Sequence, residues 1–267
     1  ASTFHLVDQL KGSYHAPLLK LLNIPEKKLS LLMPSGDSIG PVTATAARDT
    51  GLSSRTMVVA GSFDHPAAAR AAGVTEEGQL MLSCGTSWVG LLPHANRDAL
   101  LDAQLLCDPF LSAEGGPWAG MFSVPRIGRT MDWYVAHAIA PEAPDPMRVF
   151  NDLAAQAEPG AGGLVIDLLQ PPRLPSAGRA NISRAVMEGA ARLVNQKIVK
   201  LKQRGLFFDR AVMVGGASRS PVWPDIVAEI TGLTIKCAGR SAGARGAALL
   251  AAKGIGATTR PFSVAVD

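Results

Sequence analysis

Aromatic side chains are scarce in this 267-residue chain, at 5% of residues, so a buried core has to be assembled chiefly from Ala, Val, Leu and Ile. Cysteine is scarcer still. Cys84, Cys107 and Cys237 are odd in number and widely spaced, with no C-x-x-C pair. That speaks against a disulfide framework and a zinc site and predicts buried free thiols in a reducing compartment. The five histidines contain no H-x-x-x-H pair, so no metal cage is expected. No apolar run is long enough to cross a bilayer, and no basic segment followed by an apolar one opens the chain. A cytoplasmic protein without membrane contact is expected. Charge of one sign is not concentrated either: 26 Lys and Arg against 22 Asp and Glu leave a formal charge of +4. Such an excess suits anionic ligands. No dense basic block with interleaved aromatics is present, so no nucleic-acid partner is expected; the cluster from Lys197 to Arg204 reads as a solvated helix face.

What the chain does have is 47% hydrophobic and 18% charged residues, the balance of a soluble globular protein with one large or two small domains. The first residue is Ala1, and structured sequence follows at once, which fits a processed chain or a piece of something longer.

Along the chain, strand and helix signals alternate. Phe4, Leu6 and Val7 suit a short strand and Ala16 to Leu22 a helix ended by Asn23-Ile24-Pro25. Thr43 to Asp49 predicts a short helix closed by Gly51. Met57-Val58-Val59-Ala60-Gly61 carries the signature of a buried strand, followed by a polar corner, Ser62 to Pro66, and an Ala-rich helix closed by Gly73. Gln79 to Leu92 predicts two strands around a Gly85-Thr86-Ser87 tip. Residues 126 to 140 are expected to be helical, and Pro141 to Gly178 irregular. Ile182 to Leu201, apolar at steps of three and four, predicts a long helix ending at Gly205. Strands at Ala211 to Val214 and Thr234 to Cys237 then alternate with helices at Pro221 to Ile230 and Ala244 to Lys253. This alternation predicts an α/β protein with a mixed sheet flanked by helices.

Three segments could carry chemistry. In Val214-Gly215-Gly216-Ala217-Ser218-Arg219-Ser220-Pro221, two glycines after a strand let a flat ligand lie against bare backbone. Ser220 suits an N-cap and Pro221 the first helical position, where free N–H groups attract anions; a plain strand-to-helix turn fits equally. The Gly85-Thr86-Ser87 tip offers backbone and hydroxyl donors to phosphate oxygens, or is merely a turn. Asp64, at the end of a strand, is a candidate general base for a sugar hydroxyl: an ordinary aspartate, with a pKa of about 3.9, is ionised at neutral pH. It could instead cap the helix that starts near Pro66. Gly239 to Gly246 departs from the G-x-G-x-x-G spacing of dinucleotide motifs and is expected to serve close helix–sheet packing.

Taken in order, these segments resemble the FGGY carbohydrate kinases. Val58 to His65 is similar to the family's strand bearing the catalytic aspartate, Leu82 to Ser87 to its second phosphate-binding hairpin, and Val214 to Trp223 to its adenosine motif. Asn181-Ile182, Ala185 and Glu188 resemble the latter half of its second signature, and Gly246 to Ala252 its last helix. The resemblance implies an actin-like, ribonuclease-H-like ATPase fold, with residues 1–76 ending the first domain and 77–267 forming the second. It further implies ATP and Mg²⁺, a sugar acceptor (by analogy a ketose or deoxyketose), Asp64 as base, Gly85, Thr86 and Ser87 on phosphate, and Gly215, Gly216, Ala217 and Ser220 along adenosine. The family's Asp-x-Gly-Thr strand has no counterpart in the sequence. Expected partners are therefore the missing half or a second copy, and alone the chain is expected to be inactive. A non-catalytic nucleotide-binding module is the alternative; an actin-like structural protein is a third.

Overall fold

A computed structural model of the chain describes residues 6–257. The expected strand signal at Phe4 lies outside them, and the first hairpin pairs β1 (Val7–Asp8) with β2 (Ser13–Tyr14). Helix α1 (Ala16–Leu21) follows. Strand β3 (Ser38–Pro41) leads to α2 (Ala44–Thr50), capped by the Thr43 hydroxyl, which accepts from the Ala46 amide, and ended at Gly51 with φ +74°. Strand β4 (Met57–Val59) pairs antiparallel with β3 in a two-stranded ribbon.

The expected burial of β4 is not found: Met57 and Val58 are each 40% exposed. Burial needs neighbours on both edges and both faces, and among the described residues β4 has β3 beside it and α9 (Ala242–Gly254) on one side.

From Asp64 onwards the chain builds a six-stranded mixed sheet. Helix α3 (Asp64–Ala71) comes first, then β5 (Gly78–Cys84), β6 (Trp88–His94), α4 (Arg97–Asp102), β7 (Leu106–Asp108) and β8 (Trp118–Val124). Helices α5 (Ile127–Tyr134), α6 (Pro146–Ala155) and α7 (Arg179–Gln203) follow, and α5 runs on into a wider π turn, Val135–Ile139. Strand β9 (Phe208–Gly215), helix α8 (Trp223–Thr231) and strand β10 (Thr234–Cys237) lead to α9. The strand order is β10-β9-β5-β6-β8-β7, with β10, β9 and β5 mutually parallel and the rest antiparallel.

Period-two alternation along the strands feeds two cores. Leu80, Leu82 and Cys84 face α5 to α8, whose Ile127, Phe150, Val186 and Trp223 are buried there. Met81 and Val214 face the opposite way, onto the alanines of α3 and onto Ala242 of α9. Helix α3 thus packs on the sheet.

Two further expectations are corrected. Pro141 to Gly178 is not irregular throughout, because Asp145 accepts from the Arg148 amide and Pro146 occupies the first turn of α6; the Asp-Pro start signal was present in the sequence. The glycines of residues 239–246 serve helix-on-helix packing instead of helix-on-sheet: a Cβ on Gly246 would fall 1.8 Å from the Ala67 carbonyl oxygen of α3.

Helix α7 is locked by charge. Glu188, 2% exposed, accepts from Arg184 Nε at 2.9 Å, from Arg192 Nη2 at 2.6 Å and from the Gly160 amide at 2.8 Å, and Arg184 Nη2 reaches Glu229 of α8 at 2.7 Å. Removing one partner of a carboxylate buried this deeply leaves a costly unpaired group.

Candidate functional site

The parallel strands β5 and β9 end side by side, with Cys84 opposite Gly215. The Gly85-Thr86-Ser87 tip and the Gly215-Gly216 bend therefore lie next to each other on one edge of the sheet. Only glycine fits at 215: its φ is +94°, and a Cβ would sit 2.7 Å from the Cys84 carbonyl oxygen. Gly216 has open space where a side chain would be, and Gly85, Thr86 and Gly216 are exposed. Backbone at such an edge, at the carboxyl ends of parallel strands, is the usual ligand position in α/β sheets.

Asp64 opens α3, next to the start of α9. β10 is parallel to β9, and the chain leaving it enters α9, whose Gly243 lies against the start of α3: a Cβ there would be 4.0 Å from the Asp64 carbonyl oxygen. Asp64 is exposed and is the first residue of α3, not its cap. Its Oδ1 accepts from the His65 amide at 2.9 Å, so the carboxylate sits at the positive end of a helix. The helix begins two residues earlier than the expected start near Pro66.

Residues that the sequence did not single out hold this edge together. Gly128, in the first turn of α5, donates its amide to the Thr86 carbonyl at 2.9 Å, and a Cβ there would meet the Thr86 Cα at 2.6 Å, so α5 braces the tip from behind. Arg126, just before α5, holds a left-handed φ of +68° and is exposed beside it. Trp88, which follows the tip, packs at a tilt of 53° against Trp223, 5.0 Å between ring centroids, tying the tip to α8.

Ser220 accepts from the Val222 and Trp223 amides, each at 3.1 Å, and donates to Asn151 Oδ1 at 2.5 Å. Helix α8 thus starts at Trp223, with Pro224 and not Pro221 in its first turn. A hydroxyl has one proton and two lone pairs, and Ser220 spends all three inside the protein: it fixes the bend. Ser218 likewise donates to the Gly215 carbonyl at 2.8 Å. Asn151 carries no motif; only its contact across α6 exposes its part.

Burial pushes the thiols of Cys84 and Cys237 up, so neutral thiols lie under the edge. A cavity of about 1090 Å³, lined by Gln9, Ser35, Ser62, Phe63, Asp108 and Glu114 among others, lies away from it: its Trp118 pairs with His94 at the far end of β6, and neither the tip nor the bend borders it. The convergent backbone is a shallow edge, not an enclosed pocket. Among the described residues no three His, Cys, Asp or Glu side chains group to hold a metal ion. No helix among them is long and apolar enough to cross a membrane.

Comparison with known proteins accounts for this arrangement. The profile of the FGGY carbohydrate kinase C-terminal domain matches residues 151–255, and that of the FGGY N-terminal domain matches residues 1–70. Autoinducer-2 kinase of Klebsiella pneumoniae is 26% identical over 96% of this chain and 53% of its own length. The crystal structure of xylulose kinase from Rhodospirillum rubrum superposes with a TM-score of 0.79 at 28% identity, over 96% of this chain and 54% of that one. A glycerol kinase structure from Plasmodium falciparum shares the fold, with a TM-score of 0.75 at 16% identity, over 97% of this chain and 54% of that one. The chain spans about half the length of these relatives. The fold is the actin-like α/β architecture of the sugar kinases, and with two profiles of one family matching at its two ends, the chain belongs to the FGGY family of carbohydrate kinases.

Proposed function

We propose that this chain contributes the nucleotide-binding part and the base of an ATP-dependent sugar kinase. What supports the reading is the adjacency of the hydroxyl-bearing tip and the paired-glycine bend at the ends of β5 and β9, together with the placement of Asp64 at the start of α3, beside the start of α9. Gly216 and Ala217 offer bare backbone to adenosine, while Ser220 and Asn151 hold the bend in shape. Gly85, Thr86 and Ser87 offer N–H and O–H donors to the phosphates. The sugar hydroxyl oxygen attacks the γ-phosphorus, the bond from that phosphorus to the bridging oxygen breaks, and ADP leaves. Asp64 takes the hydroxyl proton. Alignment and charge neutralisation are what such transfers require of a protein.

ATP is the phosphoryl donor. Mg²⁺ is implied by the family, but the described residues form no magnesium cage, and no step is assigned to it on this chain. A ketose or deoxyketose acceptor accords with the similarity to proteins named xylulose kinase and autoinducer-2 kinase. A division into residues 1–76 and 77–267, a cytoplasmic location and inactivity of the chain by itself complete the reading.

Asp64→Asn tests it. In the full reading frame, with a panel of sugars, turnover falls about 10²–10⁴-fold while ADP binding by calorimetry is retained. An Asn variant as active as the parent rejects Asp64 as base. A non-catalytic nucleotide-binding module is the second reading, favoured by the lack of an Asp-x-Gly-Thr strand in this sequence. ADP binding without turnover in any assembly selects it.

A further inference from the structure

Four residues line up across the sheet at the end where the tip lies. Gly215 of β9 is opposite Cys84 of β5, Cys84 is opposite Trp88 of β6, and Trp88 is opposite Val124 of β8. The chain therefore leaves β8 at the same edge, two strands away from β5, and the next residues out are Pro125 and Arg126, both exposed. The Gly128 amide, bonded to the Thr86 carbonyl, then fixes the start of α5 against the tip. Arg126 is held two residues from that contact, a span that an arginine side chain covers. It stands there against local preference twice over. Its φ of +68° lies in the left-handed region that favours glycine. It is also the N-cap of α5, with Arg129 following in a first turn that holds no acidic residue. The positive end of a helix favours carboxylates and disfavours cations. Among the described residues neither arginine side chain has a hydrogen bond or an ion pair to offset this. The tip and the bend themselves, residues 83–87 and 214–220, carry a single charged side chain, Arg219.

We propose that Arg126 is a phosphate-binding cation, whose guanidinium pairs with the phosphate oxygens of the nucleotide held over the Gly85-Thr86-Ser87 tip. This role rests on the reading of the tip as a phosphate site and extends that site to a residue outside the tip and the bend. A guanidinium offers parallel N–H donors that match two phosphate oxygens, and it keeps its charge at every working pH. Phosphoryl transfer spreads negative charge over the group in flight, so a cation already in place stabilises what develops. An anion at this point also offsets both local costs. It supplies the negative charge that the start of α5 lacks, and its contacts hold a side chain that the left-handed backbone aims at the edge.

Calorimetry on this chain with adenosine, ADP and inorganic tripolyphosphate tests the role. Arg126→Gln weakens ADP and tripolyphosphate by about tenfold or more, the size of a lost charge-assisted contact, and leaves adenosine unchanged. Arg126→Gly weakens the two phosphate ligands as much, yet melts no lower than the parent, because glycine relieves the left-handed φ. Arg210→Gln removes the same charge from the opposite end of β9, where Arg210 lies opposite Gln79, and leaves all three affinities as they were. Equal ADP affinity in the parent and Arg126→Gln overturns the role and leaves the nucleotide reading standing. An equal loss in Arg210→Gln, which marks net charge alone, overturns it too, as does an equal loss of adenosine, which marks a misshapen edge. A lower melting point for Arg126→Gly would show that the arginine is kept for the fold, and also overturns it. Tripolyphosphate bound through Arg126, with ADP bound no tighter, removes the nucleotide reading and leaves the phosphate grip. A parent that binds neither removes both.

Discussion

Strands β4 and β9 have nearly the same sequence character and opposite surroundings. Met57-Val58-Val59 and Ala211-Val212-Met213-Val214 both read as interior strands. β9 lies between β5 and β10 with helices on both faces, and Met213 and Val214 are buried. β4 has one strand beside it and one helix on one face, and stays open. Composition states what a strand can tolerate around it; neighbours decide whether it is covered. The two strands differ in their neighbours, and not in their letters.

The sharpest way to break this comparison is to place a carboxylate at matching positions. Val214→Asp, which buries an unpaired charge, costs about 3–5 kcal/mol, whereas Val58→Asp stays within about 0.5 kcal/mol in the chain alone; urea midpoints measure both. Equal losses would show that the ribbon is as enclosed as the sheet. Next in size is Gly246→Val. It drives atoms into the Ala67 carbonyl, and overpacking of this kind costs about 1–3 kcal/mol. Because α9 bridges α3 and the ribbon, the loss shows first as faster proteolysis before Asp64, and uniform loosening of the whole chain would argue against that order.

Asn151→Ala tests the covered side alone. Removing the partner of Ser220 costs about 1–2 kcal/mol and weakens ADP binding, with no change in hydrogen exchange of the β3–β4 ribbon. A further effect is set by pH. Burial pushes the Cys107 thiol from 9.0 up to about 11. A folded-state value above the unfolded one means that the fold favours the protonated thiol. That contribution is complete below pH 9 and drains away as pH rises towards 11. The stability of the parent relative to Cys107→Ser therefore falls across that window, measured by denaturant titration at each pH. A constant difference would show that the thiol is solvated.

Local rules were legible where the chemistry is local. Thr43 as a cap, Gly51 as a left-handed stop, the long period of α7 and the glycine-tipped hairpin all depend on residues within a few positions of each other. The start of α6 was equally local, in Asp145-Pro146, but the Pro and Gly around it obscured it. The family resemblance came from the order of several such segments.

The sequence by itself determined the α/β class, the family, the three candidate segments and most helix ends, because backbone dihedrals, caps and amphipathic periods are encoded in neighbouring residues. Only the tertiary structure decided that the tip and the bend share one edge, that Ser220 is spent on Asn151 and two amides, that Gly246 seats helix on helix, and that β4 lies open. Each of these depends on contacts between residues far apart in the chain, and burial is a property of the surroundings that no strand carries in its own letters.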